Sequence, residues 1–360
     1  SIYLLFTPSG NQYLYDYFSK DFSEKTDLDI KVKSINIDDF PYVTAVMNVD
    51  KKAKLEVNGE IGLTTLDINY TFSSDIVCYE NCTINDDLLI HGEVTGRYDT
   101  MHVTGSGRFL DGHVEYKTIK RTDMIEDLKI VGKEINSTKL FKLMDQDNLI
   151  NGEANITINV AYMYKEHKKG DFTYEVHDNN FSGIPLDLYT KVEIEDMHHD
   201  IVMNISSPSL SLKLYDAEYD QKKKQAKGLY RLDIKEFSDL EPLIGYAYQG
   251  EFNATGEIHF SEDLRITGHS TNYGGELKYL IGKSGLTIAL NDVSFKSFTS
   301  IFPYDPIMDA STTGKIYYNF LQKSVIVNSK LKNSKFIPSK FSKNFYKKSY
   351  LKLTKESFKE

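Results

Sequence analysis

Apolar and polar residues alternate along most of this chain with the period of a half-buried β-strand. In residues 152–164, GEANITINVAYMY, the side chains of Ala154, Ile156, Ile158 and Val160 fall on one face and the intervening Asn and Thr on the other. Similar segments, such as LDINYTF, SLSLKLY and SVIVNS, are separated by turn signals such as NGE, LDG and GKSG. The pattern predicts an all-β protein of about 16 to 20 strands without a long helix.

A strand, a short apolar helix and a second strand recur along the chain. Residues 127–160 align with 229–260 and, more loosely, with 292–320, and Ser137 and Ser238 are the expected polar caps of the first two helices. Any series of β-hairpins with occasional helical connections would give a similar alignment. We interpret the recurrence as a repeated structural unit.

The charge of the chain is uneven. The whole sequence carries a net charge of −9, which argues against nucleic acid as its main partner. Residues 330–360 contain ten Lys and two Glu, a balance of +8, which leaves −17 on the remainder. A basic end on an acidic body is either a contact for anionic lipid or an acidic partner, or a solvated end.

The first residues are apolar. No stretch reaches the roughly 18 apolar residues that span a bilayer. Residues 2–6, IYLLF, are nevertheless interpreted as the last turn of a longer apolar helix, so we expect a membrane anchor or signal segment before them. Residues 9–22 predict a short helix with Tyr13, Tyr17 and Phe18 on one face.

Cys78 and Cys82 are the two cysteines of the chain and lie in CYENC. In a continuous strand they would be about 13 Å apart, too far for a disulfide, but Glu80 and Asn81 favour a turn that brings them into range. In an oxidising compartment the pair is a disulfide candidate. Two thiols without a nearby Cys or His pair make a poor zinc site.

Five sites match the acid-x-Asn-x-Ser/Thr acceptor motif of some bacterial N-glycosylation systems. They are candidate glycan acceptors, centred on Asn69, Asn136, Asn155, Asn180 and Asn253. Strands whose outer face is polar at every second position generate this motif by periodicity alone, so both interpretations stay open.

Catalytic motifs are incomplete in this sequence. IGKSG lacks the earlier Gly of a phosphate-binding loop and predicts a hairpin turn, and Ser106 in TGSGR lacks the Gly-x-Ser-x-Gly frame of a nucleophile elbow. His198 and His199 would face opposite sides of a strand and could share a metal only in a turn. We therefore predict no enzymatic activity, no metal site and no cofactor.

The apolar faces must be covered by something. A β-sandwich would pack them against a second sheet, and a closed barrel would turn them inward. A third arrangement is a curved open sheet whose apolar face is filled by lipid chains. Periodicity alone does not separate these three arrangements.

An apolar segment followed by TPSGNQYLYDYF and then LDIKVKSINID resembles the start of AsmA-like and TamB-like proteins of Gram-negative envelopes. The repeated units at 127–160 and 229–260 are also similar to those of that family. The resemblance implies a long, curved, mainly antiparallel sheet that forms an open apolar groove, a β-taco, with short helices between repeat units. It also implies a periplasmic protein that is anchored to the inner membrane and carries or shields phospholipid between the two membranes.

On this resemblance the expected partners are phospholipid, the inner membrane through an N-terminal anchor, and other envelope proteins. The chain then divides into an anchor end with an amphipathic helix (1–22), a first groove segment (23–126), repeated groove units (127–329) and a basic segment (330–360). The alternative function is an envelope or surface β-sandwich that acts as an adhesin or assembly scaffold. The predicted groove-lining residues are Leu55, Val57, Leu66, Ile68, Tyr70, Ile156, Ile158, Val160, Val192, Ile194, Leu210, Leu212, Ile258, Phe260, Leu286, Ile288, Ile316 and Tyr318.

Overall fold

The computed structural model describes residues 15–17, 19–20, 29–37, 39, 41–50, 52–79, 82–146 and 151–337. Within these residues the chain forms 20 strands. The first ten are β1 (Ile30–Asn36), β2 (Tyr42–Val49), β3 (Ala53–Ile61), β4 (Thr65–Tyr79), β5 (Cys82–Arg97), β6 (Thr100–Phe109), β7 (Gly112–Arg121), β8 (Ile125–Asn136), β9 (Glu153–Tyr164) and β10 (His167–Phe181). The second ten are β11 (Ile184–Glu195), β12 (His198–Ser206), β13 (Leu210–Asp220), β14 (Gln225–Ile234), β15 (Phe252–Phe260), β16 (Leu264–Ser270), β17 (Glu276–Gly282), β18 (Gly285–Ser294), β19 (Met308–Asn319) and β20 (Ser324–Phe336).

The strands belong to one sheet. Each strand from β1 to β9 pairs antiparallel with the next along the chain, and so does each from β12 to β19. In the described part of the chain this sheet is open rather than closed on itself. The all-β class and the open, mainly antiparallel sheet are therefore confirmed, whereas a two-sheet sandwich would need a second sheet.

In the described part of the chain, three short helical connections join neighbouring strands. Helix α1 (Ser137–Leu143) joins β8 to β9, a 3₁₀ turn (Phe237–Leu240) and helix α2 (Glu241–Ile244) join β14 to β15, and helix α3 (Phe295–Thr299) joins β18 to β19. These are the three places where the sequence predicts strand, helix and strand. The helix caps lie one or two residues earlier than expected.

Helices α1 and α3 begin in the same way. Asn136 Oδ1 accepts a hydrogen bond from the backbone N–H of Lys139 at 3.1 Å, and Ser294 Oγ accepts one from the N–H of Ser297 at 3.2 Å. A bulge with positive φ precedes each cap, at Glu134 (φ 56°) and Asp292 (φ 57°). The segment around α3, which the sequence aligned only loosely, therefore matches the α1 segment in its bulge and its cap.

The chain divides into two compact units. The first unit contains residues 1–179 and 191–196, and the second contains 180–190 and 197–360. The segment boundary expected at 126/127 was drawn from the repeat and lies inside the first unit.

Two predicted terminal segments are described only in part. Residues 15–17 and 19–20 are helical, and Ser19 Oγ accepts a hydrogen bond from the backbone N–H of Val32 at 2.9 Å. The rest of the predicted 9–22 helix, with Tyr13 and Phe18, lies outside the described residues. Within the basic segment, residues 330–336 belong to β20 and residues 338–360 lie outside the described residues. Among the described helices, none has the length and hydropathy of a membrane span.

Candidate functional site

One row of apolar residues crosses every strand of the first unit from β1 to β10. Residues that lie directly opposite each other in antiparallel strands point to the same face, so the pairing registers define this row. The first-unit row consists of Ile35, Ala45, Val57, Tyr70, Gly92, Gly105, Tyr116, Ile130, Ile158 and Phe172. None of these ten residues is charged, so one face of the unit is apolar across its whole width.

Part of this row lies in a recess of about 650 Å³ over strands β1 to β7. The recess is lined only by Ala, Val, Leu, Ile, Met, Phe and Tyr side chains. Its volume is within the range of about 300–1,000 Å³ that is typical of small-molecule sites. Five of its lining residues are predicted groove residues, namely Leu55, Val57, Leu66, Ile68 and Tyr70.

Two tyrosines lie over two glycines at the centre of the first-unit row. Tyr70 on β4 and Tyr116 on β7 flank Gly92 and Gly105, and a Cβ on Gly105 would lie 2.6 Å from the Tyr116 hydroxyl and 2.7 Å from that of Tyr70. The two hydroxyls are hydrogen-bonded to each other. Glycine is therefore required here because the phenol rings approach the backbone closely.

The same tyrosines contribute the only polar side-chain atoms among the residues that line the recess. Tyr70 also donates its hydroxyl to the backbone oxygen of Thr104 at 3.0 Å. Burial, and then the hydrogen bond with Tyr116, raise the pKa of Tyr70 well above its usual value. The Tyr70 phenol is thus neutral, and both hydroxyls are already hydrogen-bonded, so an apolar ligand meets no unpartnered hydroxyl at this point.

The second unit repeats this arrangement. Its second-unit row consists of Met203, Leu214, Tyr230, Gly256, Gly268, Tyr279, Ile288, Ile316 and Val327. Tyr230 donates its hydroxyl to the backbone oxygen of Thr267 at 3.1 Å and is hydrogen-bonded to Tyr279. Strand periodicity did not predict this Tyr-Gly-Gly-Tyr pattern in either unit.

The surroundings of the second Tyr-Gly-Gly-Tyr pattern are more closed. Tyr230 is 3% exposed, and the ring of Tyr279 lies 6.3 Å from that of Phe252. Burial, together with the hydrogen bond to Tyr279, raises the pKa of Tyr230 above its usual value, and burial raises the pKa of Tyr279. Aromatic side chains therefore pack around the second pattern, whereas the tyrosines of the first pattern line the recess.

None of the 18 predicted groove-lining residues is fully buried. All are half-buried except Phe260, which is 43% exposed. The members outside the recess are Ile156, Ile158, Val160, Val192 and Ile194 in the first unit, and Leu210, Leu212, Ile258, Phe260, Leu286, Ile288, Ile316 and Tyr318 in the second. A core sealed by a second layer would bury such residues almost completely, so the half-burial indicates that this face is not sealed. Ile156, Leu210, Ile288 and Ile316 are half-buried because each packs against a buried cluster on one side.

Three clusters of fully buried apolar residues lie beside the helices, whereas Met47 and Ile90 are buried in the lining of the recess. In the first unit Ile84, Leu110, Ile135 and Leu143 form one cluster, against which Ile156 packs. In the second unit one cluster consists of Tyr273, Leu277, Leu290 and Val293, and another of Ile184, Ile234 and Leu240. The helices thus cover one margin of the apolar face in each unit.

Candidate chemical groups from the sequence do not assemble into a site. His198 and His199 are adjacent residues of β12, and the His199 ring lies 5.5 Å from that of Tyr219. Ser106 lies on the polar face of β6, opposite His91 and Glu115. Lys283 and Ser284 form the turn between β17 and β18, which confirms the hairpin at IGKSG. Within the described residues, no group of three or more His, Cys, Asp or Glu could hold a metal ion.

The candidate glycan acceptors differ in their surroundings. Asn69, Asn155 and Asn253 are exposed strand residues, whereas Asn136 caps α1 and donates Nδ2 to Asp111 Oδ2 at 2.9 Å. The side chain of Asn180 lies outside what the structure describes. Capping makes Asn136 the least available of the four described acceptors.

The candidate disulfide falls outside the described side chains. Strand β4 ends at Tyr79 and β5 begins at Cys82, and the backbone of Cys78 pairs with that of Thr83. The expected reversal of the chain between the two cysteines is therefore confirmed. The disulfide itself stays a prediction.

Comparison with known proteins gave no match: no family model, no curated protein and no solved structure is similar to this chain.

Proposed function

We propose that this protein binds the acyl chains of phospholipids on the apolar face of its open sheet. The observation that carries the proposal is the first-unit row, which crosses ten strands without a charged residue and remains half-buried rather than sealed. As an envelope protein of the kind that the sequence resembles, it would lie in the periplasm, be anchored to the inner membrane, and carry or shield lipid between the two membranes.

The energetics of burial support a hydrocarbon ligand. Removing one methylene from water is worth about 0.8 kcal/mol, so a 16-carbon chain contributes roughly 12 kcal/mol before the cost of ordering it. Part of that contribution is lost because the ligand and the lining side chains lose conformational freedom. The recess needs no polar contact to hold such a ligand, and its lining residues offer almost none.

The same lining determines which part of a phospholipid is recognised. A charged headgroup inside the recess would lose its hydration without gaining a charged partner, which costs several kcal/mol. The hydroxyls of Tyr70 and Tyr116 already bond to each other, and that of Tyr70 also donates to the backbone oxygen of Thr104. We therefore propose that the acyl chain lies on the apolar face, that the headgroup stays in water, and that headgroup identity has little effect on affinity.

The sharpest test places the same charge on opposite faces of one strand. Val57 lines the recess and Asn58, its neighbour on β3, is exposed on the other face. Val57→Asp should remove bound lipid, because the carboxylate stays hydrated and an acyl chain gains nothing from it. Asn58→Asp should keep the lipid content of the wild type. Native mass spectrometry of protein purified from cells measures co-purified phospholipid, and thermal melting checks the fold of both variants.

Two outcomes would contradict the proposal. The first is wild-type protein that carries no phospholipid and takes up none from vesicles. The second is Val57→Asp protein that is folded and still retains wild-type lipid content, which would move any lipid site away from this recess.

A further inference from the structure

An exposed apolar patch lies beside the helical connections of the second unit. It is formed by two loops, one that includes the end of α2 and one that follows α3. Tyr246 is 69% exposed and Tyr304 is 70% exposed. The patch, called the aromatic margin below, consists of Leu243, Ile244, Tyr246, Phe302, Tyr304 and Ile307. Six exposed apolar side chains on two neighbouring loops are unusual for a surface that faces only water.

The two loops are held together by the fold. The backbone N–H of Gln249 donates to the oxygen of Ile301 at 2.8 Å, and that of Phe237 donates to the oxygen of Gly250 at 2.9 Å. The Tyr248 ring packs edge-on against Phe302, with centroids 5.7 Å apart. These contacts hold the backbone of both loops in place, so the exposed rings of the aromatic margin form one ordered surface.

The charges near the aromatic margin favour a neutral partner. No Lys or Arg occurs between residues 236 and 264 or between residues 297 and 314, whereas Glu241 and Asp305 lie within the two loops. A surface for nucleic acid or strongly anionic lipid would carry basic residues. Tyr, Phe, Leu and Ile without basic residues suit the boundary of a zwitterionic bilayer, where a tyrosine ring meets acyl chains and its hydroxyl meets water.

Aromatic rings connect this margin to the apolar face. Ring centroids are 6.0 Å apart from Tyr246 to Tyr248, 6.2 Å from Tyr248 to Phe237, 6.1 Å from Phe237 to Phe252 and 6.3 Å from Phe252 to Tyr279. Tyr279 belongs to the second-unit row. Apolar surface therefore continues from the exposed loops to the face that the proposed function assigns to acyl chains.

We infer that the aromatic margin docks into the interfacial region of a zwitterionic phospholipid bilayer and is where acyl chains enter or leave the second unit. The docking step stands on the exposed loops alone, whereas the entry step rests on the proposed function. A protein partner on the same surface is the competing outcome, and the test separates the two.

The chain contains no Trp, which makes single reporters possible. We would prepare Tyr246→Trp, Tyr304→Trp and, as a matched control, Tyr98→Trp in the exposed turn between β5 and β6 of the first unit. With phosphatidylcholine vesicles, the first two should show blue-shifted emission and quenching by lipids brominated on their chains. The Tyr98→Trp protein should show neither change. Emission from both margin reporters that vesicles leave unchanged would overturn the inference and favour a protein partner.

A loss-of-binding variant separates docking from lipid storage. Tyr246→Asp combined with Tyr304→Asp should weaken co-sedimentation with phosphatidylcholine vesicles by about tenfold or more, because both rings lose their contact with the acyl region. Its melting temperature should match the wild type, and its uptake of phospholipid from vesicles should fall together with its vesicle binding. Val57→Asp should instead bind vesicles normally and lose the lipid of the first-unit recess. If the double variant binds vesicles like the wild type, the inference is wrong even where the proposed function holds.

Discussion

The two units contain the same Tyr-Gly-Gly-Tyr pattern across four strands but surround it differently. In the first unit Tyr70 and Tyr116 are half-buried and line an apolar recess of about 650 Å³. In the second unit Tyr230 is buried, and Tyr279 packs against the cluster that contains Tyr273. Each pair of glycines lies against a pair of tyrosine rings in both units, so the neighbouring side chains decide how far a ligand can reach the apolar face there.

The largest expected difference between the units comes from a charge on equivalent strands. Ile316 packs against the cluster formed by Tyr273, Leu277, Leu290 and Val293, so Ile316→Asp should lower the free energy of unfolding by about 3–5 kcal/mol. Ile158 lies on the first-unit row, but the residue that packs against the buried cluster of that unit is Ile156. Water can therefore hydrate an aspartate at position 158. Ile158→Asp should therefore cost only about 1–2 kcal/mol and still reduce lipid content, because the first-unit row continues across this strand.

Denaturant unfolding and native mass spectrometry measure these two effects. Thr157→Asp, the neighbour of Ile158 on the opposite face, is the control and should stay within about 0.5 kcal/mol of the wild type with normal lipid content. Equal destabilisation by Ile158→Asp and Ile316→Asp would show that the first unit is as tightly packed as the second, and the comparison would fail.

Replacing the equivalent glycine of each unit by alanine should give a smaller difference in stability loss between the two units. A Cβ at Gly268 would lie 2.3 Å from the Tyr230 hydroxyl, whose ring is enclosed, so Gly268→Ala should cost about 2–3 kcal/mol through overpacking. At Gly105 the rings of Tyr70 and Tyr116 can move into the recess. Gly105→Ala should therefore cost less than about 1 kcal/mol but reduce bound lipid, because the displaced rings fill its space.

Gly282→Ala is the matched control for both variants. A Cβ there has its nearest neighbour, Leu280 Cδ2, at 3.9 Å, and thermal melting should show almost no change. If the Gly105→Ala protein were less stable than the Gly268→Ala protein, the tyrosines of the first unit would be more tightly enclosed than those of the second, and the comparison would be wrong.

Strand periodicity predicted the face on which each residue lies, but not which residues of the other strands lie beside it. Ile156, Ile158 and Val160 share a face because side chains alternate along a strand, and this holds whatever the strand pairs with. Tyr70 and Tyr116 are 46 residues apart and come together only through the registers of β4 to β7. The sequence feature that could have indicated this contact is a glycine on the apolar face of a strand, such as Gly92 between Ile90 and Val94. Such a glycine marks a place where another group approaches the backbone closely.

Helix caps show a similar limit. The sequence placed the first cap at Ser137, whereas the structure places it at Asn136 after the bulge at Glu134. The bulge shifts the register by one position, so Ile135 turns into the cluster with Leu110. Periodicity assumes an uninterrupted strand and for this reason misses both the bulge and the cap that follows it.

Removing one hydroxyl from each tyrosine pair should give a smaller difference in stability between the units than the changes in packing described above. In Tyr230→Phe the Tyr279 hydroxyl loses its partner in a closed site, so we expect a loss of about 1–2 kcal/mol. In Tyr70→Phe the hydroxyl of Tyr116 can meet water from the recess, and a loss of about 0.5 kcal/mol is expected. Urea unfolding of both variants measures the difference, and equal losses would mean that water does not reach Tyr116.

The smallest expected effect is a loss of stability at alkaline pH that comes from the buried Tyr273 phenol of the second unit. Burial raises the pKa of Tyr273 from 10.0 to about 12. Between these values the folded state keeps the phenol proton that the unfolded state has lost, so the stabilisation is complete below pH 10 and disappears as pH rises toward 12. At about pH 10.5 linkage predicts a loss of under about 1 kcal/mol from this residue. Unfolding free energies measured from about pH 9 to pH 11 should therefore fall less steeply for Tyr273→Phe than for the wild type, with a constant difference below pH 10. Parallel pH dependences of the two proteins would mean that the Tyr273 phenol is open to water, and the second unit would then be no more closed than the first.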